Sequence, residues 1–180
     1  MGSTDDTSAL AGPALREAKR ELRERVLAAR DALAPAARAE ASQSIAQRIA
    51  GLASFRAASC VVLTLGFRSE WDTRALVDDA LARGAAVALP RVNEVTRMIE
   101  LCRVLSVAAD TAPGYRGIPE PHASLPPVEP RDVEWILVPG VAFDAHGRRL
   151  GYGRPSGPSS VKALTPRRGT RCRAQSAGRG

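Results

Sequence analysis

The chain reads as an α/β domain with a mostly parallel sheet. Three observations carry the reading: amphipathic helical periods open the chain, short apolar β-branched runs follow, and a further helical period stands between two of those runs. Apolar positions recur at Leu15, Ala18, Leu22, Val26, Ala29 and Leu33, steps of three and four that lay one stripe along a helix. Pro35 opens a second helix, where Ala41, Ile45, Ile49 and Leu52 repeat the pattern and Gly51 is a stop signal, so the two make a helical hairpin. The run from Ser59 to Leu65 reads as a strand buried on both faces and ended by Gly66. Asp72 can cap a helix from Thr73 to Arg83, with Leu76, Val77, Ala80 and Leu81 inward and Gly84 closing it. A second strand covers Ala85 to Leu89 and stops at Pro90. A third covers Arg97 to Leu105, with Met98, Glu100, Cys102 and Val104 on one side and Ile99, Leu101, Arg103 and Leu105 on the other. A proline-rich loop, Pro113 to Pro130, leads to a last strand at Val133 to Val138, and a glycine-bearing loop runs from Val141 to Gly153.

With 180 residues, 44% of them apolar, the chain is long enough for one domain with a real core. We expect a disordered leader over 1–13, the α/β domain over 14–153, and a basic, disordered tail over 154–180. The net charge of +7 sits entirely in that tail, which holds seven basic residues and no Asp or Glu, while Met1 to Gly153 balances 19 basic against 19 acidic residues. A neutral body argues against a nucleic-acid-binding domain, leaving only non-specific attraction through the tail. No run approaches the roughly 18 to 20 apolar residues that cross a bilayer. Cys60, Cys102 and Cys172 stand far apart, which fits neither a disulfide framework nor a zinc site and points to the cytoplasm.

Several residues invite a chemical reading. Lys19 and Arg23 lie four apart on one helical face, suited either to a bound phosphate or simply to solvent. Lys19 is the only lysine before the tail, and its compact ammonium suits a phosphate oxygen. Glu70, at a strand end, can accept hydrogen bonds from a polar heterocycle or, with Asp72, complement a helix dipole. The glycine loop with Arg148, Arg149 and Tyr152 offers backbone N–H groups and cationic forks, yet it matches no general nucleotide fingerprint. His122 and His146 read as exposed loop histidines without a nucleophile in a G-x-S-x-G setting, which argues against a Ser–His–Asp hydrolase.

The order of these pieces resembles the 5-formyltetrahydrofolate cyclo-ligase (5,10-methenyltetrahydrofolate synthetase) family. The matching stretches are Lys19-Arg-Glu-Leu-Arg23, Leu65 to Thr73, Ala88-Leu-Pro-Arg91, Met98, Gly117-Ile-Pro-Glu-Pro121, and Ile136 to Asp144 running into Gly147 to Gly153. They span about Leu15 to Gly153. The resemblance implies a three-layer α/β fold and the ATP-driven cyclisation of 5-formyltetrahydrofolate to 5,10-methenyltetrahydrofolate. It places Lys19, Arg23, Arg149, Leu150, Gly151, Tyr152 and Gly153 at ATP, and Leu65, Glu70, Met98 and Tyr152 at the reduced folate.

The resemblance breaks after Gly153. The family continues Gly-Tyr-Gly-x-Gly-Tyr-Tyr-Asp-Arg into a helix, and the aspartate binds Mg²⁺. Here the stretch is Gly151-Tyr-Gly-Arg-Pro-Ser-Gly-Pro158, with Pro158 in the aspartate's place, and no strand-like run follows Val138. The expected chain therefore lacks the C-terminal part of the family fold and the metal-binding aspartate, through a change of reading frame or splicing just after Gly153, and turns over poorly. The competing expectation is a non-catalytic or truncated nucleotide-binding protein whose basic tail binds polyanions.

Overall fold

The computed structural model describes residues 12–96, 98–114 and 117–152. The tail over 154–180, with Cys172, Gly153 and most of the expected leader lie outside the described residues. Pro13, placed in the leader by sequence, is instead the first residue of a helix, as suits a residue with no N–H to leave unpaired. The described residues fall into two compact units, 12–33 with 139–152 and, separately, 34–138.

The larger unit is built on a four-stranded sheet. Its helices are α2 (Pro35–Ala50), α3 (Ala53–Ala57), α4 (Arg74–Ala82) and the short α5 (Val107–Asp110). Strands β1 (Cys60–Val62), β2 (Ala86–Val92), β3 (Ile99–Val104) and β6 (Trp135–Ile136) form the sheet in the order β3-β2-β1-β6. Neighbours β2, β1 and β6 run parallel, whereas β3 is antiparallel to β2. The expected mostly parallel α/β class stands.

β1 is apolar throughout because both of its faces are covered. Val61 and Leu63 join Phe55, Leu76, Val77, Val87, Leu89 and Val104 in one buried cluster, and Cys60 and Val62 join Ala88, Leu101 and Val133 in another. Phe55 is fully buried and meets Trp135 edge to face, ring centroids 4.9 Å apart. The Arg83 guanidinium lies 4.7 Å over the Phe55 ring and donates to the Arg56 and Ala58 carbonyls. Gly84, with φ +81, ends α4 as expected.

Within this unit several sequence expectations need correcting. β2 does not stop at Pro90 but continues to Val92, paired with β3 through Pro90 opposite Leu101. The Ala88 carbonyl points toward β1, where it accepts from Leu63 N–H, and Pro90 points the same way by alternation, past the end of β1. Its missing N–H therefore removes no ladder bond. The Pro113–Pro130 segment is not a plain loop, because β4 (Thr111–Pro113) and β5 (Pro119–Pro121) pair as a small antiparallel ribbon. In α2 the buried positions are Ser42 and Ala46, and Ile45 of the expected stripe is 38% exposed. Small residues face α4 here because they allow close helix packing. Finally, Met98 precedes β3 instead of lying within it.

The smaller unit comprises α1 (Pro13–Asp31) and a hairpin of β7 (Ala142–Phe143) and β8 (Arg149–Leu150), in a stretch the sequence read as loop. No residue of α1 is buried. Its half-buried positions are Arg23, Val26, Leu27 and Arg30, a face about a quarter turn from the Leu15–Leu22–Leu33 stripe.

Candidate functional site

In the larger unit, the chain leaving β1 makes a tight loop to α4 at the carboxyl end of the parallel strands, where layered α/β domains collect ligands. The Thr73 hydroxyl donates to the Thr64 carbonyl at 2.7 Å and closes the base of this loop. A Cβ on Gly66 would overlap the Trp71 carbonyl oxygen, so the crossing admits only glycine. Arg68, at φ 57, reverses the chain, a conformation uncommon for a residue with a side chain. Glu70 then folds back. Its Oε2 accepts the Phe67 N–H at 3.0 Å and its own N–H donates to the Phe67 carbonyl at 3.1 Å. Asp72 Oδ1 accepts the N–H of Arg74, the first residue of α4, at 3.0 Å, but the cap position is held by Thr73, which makes no side-chain cap bond, so the expected Asp72 cap is corrected. Ser42 of α2 accepts the Asp72 N–H at 3.0 Å and fixes the loop from below.

Leu65 is buried and belongs to the core cluster beside this loop. Glu70 is half-buried. Met98 is 46% exposed in the β2–β3 turn, where its carbonyl accepts the Asn93 N–H at 2.9 Å. Because β1 and β2 are parallel, that turn and the Glu70 loop leave the sheet at the same end. In the turn's shadow Glu100 accepts from Arg91 at 2.8 Å and from Asn93 at 2.6 Å. The Asn93 amide first, and the Arg91 guanidinium second, hold the Glu100 carboxyl below its usual range.

In the smaller unit, Arg23 Nε donates to the Gly151 carbonyl at 2.7 Å, joining the leading helix to the glycine stretch across 128 positions of sequence. Arg30, which sequence reasoning passed over, places both terminal nitrogens 3.3 Å from the Tyr152 hydroxyl oxygen. The signal was present: Arg30 follows Lys19 by eleven positions and Arg23 by seven, which keeps all three on one helical face. Arg20, by contrast, is occupied by Glu17 and Glu24. That pairing depresses the Glu17 carboxyl, chiefly through its hydrogen bond to Arg20. Lys19 is exposed.

The hairpin's cations are partly committed within it. Asp144 accepts the N–H groups of His146 and Arg148 at 2.9 and 2.8 Å, and Arg148 Nε at 2.7 Å. The Arg148 N–H is the main cause of the lowered Asp144 pKa. Arg149 donates to the Pro139 carbonyl at 2.7 Å, and Leu150 is half-buried opposite Ala142. Gly147, at φ +75, supplies the reversal between β7 and β8. Tyr152 is 52% exposed. His122 and His146 are exposed, as expected.

A magnesium site does not emerge from this donor set. Among the described residues no three His, Cys, Asp or Glu side chains gather, and in the smaller unit Glu17, Glu24 and Asp144 are engaged by arginines. Hard-cation sites need several converging oxygens, which these residues do not provide.

Comparison with known proteins decides the family, since the profile of the 5-formyltetrahydrofolate cyclo-ligase family matches residues 15–173. The chain belongs to this family. The match continues past Gly153, where the sequence reading ended the resemblance. A probable 5-formyltetrahydrofolate cyclo-ligase from Schizosaccharomyces pombe is 30% identical over 63% of this chain and 56% of its own length. A 5-formyltetrahydrofolate cyclo-ligase from Haemophilus influenzae is 32% identical over 63% of this chain and 62% of its own. The chain thus spans roughly three-fifths of these curated relatives. Among solved structures, the Aquifex aeolicus 5,10-methenyltetrahydrofolate synthetase superposes with a TM-score of 0.73 at 34% identity, covering 82% of this chain and 74% of that one. The Mycoplasma pneumoniae synthetase shares the fold with a TM-score of 0.58 at 19% identity, covering 75% and 71%. No helix among the described residues is long and apolar enough to cross a membrane.

Proposed function

We propose that this cyclo-ligase family member converts 5-formyltetrahydrofolate and ATP to 5,10-methenyltetrahydrofolate, ADP and phosphate. The observation that supports it most is the 2.7 Å hydrogen bond from Arg23 to the Gly151 carbonyl, since it joins two distant segments that the family likeness assigns to ATP.

The chemistry starts from a poor leaving group, a formamide oxygen. That oxygen attacks the γ-phosphorus of ATP, the bond to the β-phosphate oxygen breaks, and ADP leaves an imidate-type phosphate on the formyl carbon. The second folate nitrogen attacks that carbon, the ring closes, the C–O bond breaks to release phosphate, and the nitrogen's proton passes to solvent. Lys19 and Arg23 contribute charge to the phosphates, the segment from Arg149 through Gly153 flanks the nucleotide, and positioning supplies most of the acceleration. Magnesium enters with the nucleotide as part of the substrate, held by phosphate oxygens. Glu70 and Leu65 take the pterin end of the folate, with Met98 alongside. Cys60 and Cys102 are buried thiols, in keeping with a reducing cytoplasm.

The test follows methenyl product absorbance with both substrates present. Product formation that needs ATP, with Glu70→Gln raising the folate KM about tenfold through a lost charged hydrogen bond, supports the reading. No product at any enzyme concentration, from a chain shown to be folded, overturns it.

A further inference from the structure

We infer that Arg30 is a positioning residue of the nucleotide site, acting through Tyr152. The inference rests on the proposed ATP site and deepens it. Lys19, Arg23 and Arg30 share one face of α1, and two of them reach consecutive residues at the end of the hairpin strand: Arg23 the Gly151 carbonyl, Arg30 the Tyr152 hydroxyl. Helix α1 therefore does more than present charge. It clamps the backbone of the glycine stretch at one residue and orients the side chain of the next.

The chemistry of the second contact has a direction. A guanidinium has donors only, so the phenolic oxygen accepts from Arg30 and the phenolic proton is not given to it. Two N–H groups converge on one oxygen, each at 3.3 Å. They fix that oxygen more firmly than one donor would and polarise the O–H toward an acceptor. The acceptor we assign is a phosphate oxygen of ATP. A ring held only by its exposed rotamer would meet the nucleotide with its orientational freedom still to lose. Arg30 removes that freedom in advance.

The experiment uses the full chain and a double-mutant cycle on Arg30→Met, Tyr152→Phe and the pair, with Arg30→Lys as the conservative variant. Thermal melts establish that each is folded. ATP dissociation constants come from calorimetry without folate, and ATP KM and kcat from the methenyl assay. Each single substitution should weaken ATP about tenfold, the scale of one charge-assisted hydrogen bond, and Arg30→Met should act on the ATP KM more than on kcat. The double variant should be no weaker than the worse single one, because both remove the same contact. Arg30→Lys, with one point donor, should recover only part of the loss. Effects that multiply, or an Arg30→Met protein with unaltered ATP affinity, would overturn the inference. A chain that binds ATP with the coupled pattern but never forms methenyl product keeps the inference and sinks the cyclo-ligase reading. Turnover with multiplicative effects does the reverse, and a folded wild type that binds no ATP sinks both.

Discussion

The two compact units hold together in different ways. In residues 34–138, Val61 of β1, Leu63 just beyond it, Val87 and Leu89 of β2 and Val104 of β3 are buried in one cluster with α3 and α4, so burial of apolar area organises the unit. In 12–33 with 139–152, no residue of α1 is buried, and the contacts that stand out are polar: Arg23 to Gly151, Arg30 to Tyr152, Arg149 to Pro139 and Arg148 to Asp144. A stable scaffold needs the first arrangement. The second leaves arginines at the surface at modest desolvation, which suits the ATP site proposed there. Substitutions in the apolar cluster of the first unit should therefore appear as lost stability, and at these arginines of the second as lost ATP affinity.

The largest effect should come from Phe55→Ala. Phe55 is fully buried, touches Trp135 edge-on and lies under the Arg83 guanidinium, so its loss opens a cavity and strips that cation of its aromatic partner. The expected cost is about 3–5 kcal/mol, read as a shifted denaturant midpoint. A loss below about 1 kcal/mol would mean the cluster does not organise the unit.

Arg23→Ala should show the opposite signature. Removing the donor to Gly151 should leave the melting temperature nearly unchanged while kcat/KM for ATP falls about 10- to 100-fold, as for a charged hydrogen bond of about 1.5–3 kcal/mol. A protein that instead melts early with normal ATP kinetics would erase the contrast between the units.

The same contrast explains what the sequence made legible. Long or fully apolar periods were readable: β1 buried on both faces, α4 with Leu76, Val77 and Ala80 inward, and Gly84 ending it. Short elements were not, since the two- and three-residue strands β4, β5, β7 and β8 carry no period to detect. Period alone also placed the packed face part of a turn off, catching Ile49 in α2 and Val26 in α1 but missing its centre in both. α2 packs through Ser42 and Ala46 because close approach favours small residues, and α1 turns its cations to the hairpin instead of its leucine stripe. At the candidate site, Lys19 with Arg23 and Glu70 were readable as charges. Arg30 was passed over because an arginine-rich helix offers many equivalent cations, and its contact with Tyr152 is not readable from the sequence.

The smallest effect tests whether a polar cluster in the apolar unit behaves like those of the other. Glu100 accepts from Asn93 and Arg91, which hold its carboxyl below the ordinary value of 4.5. A carboxyl whose folded pKa is depressed contributes stability that is fully present above its unfolded pKa and is lost as the pH falls through the lower, folded one. Glu100→Gln should therefore destabilise the protein at pH 7, by less than about 1 kcal/mol because the side chain is 41% exposed and solvent screens the pair. The gap between the two proteins should hold above pH 5 and close as the solution is acidified below 4.5, and added salt should narrow it at neutral pH. Unfolding curves at stepped pH read this directly. If the gap persisted undiminished at low pH, the Glu100 contribution would be shape and packing instead of charge, and the hairpin turn would belong with the apolar core after all.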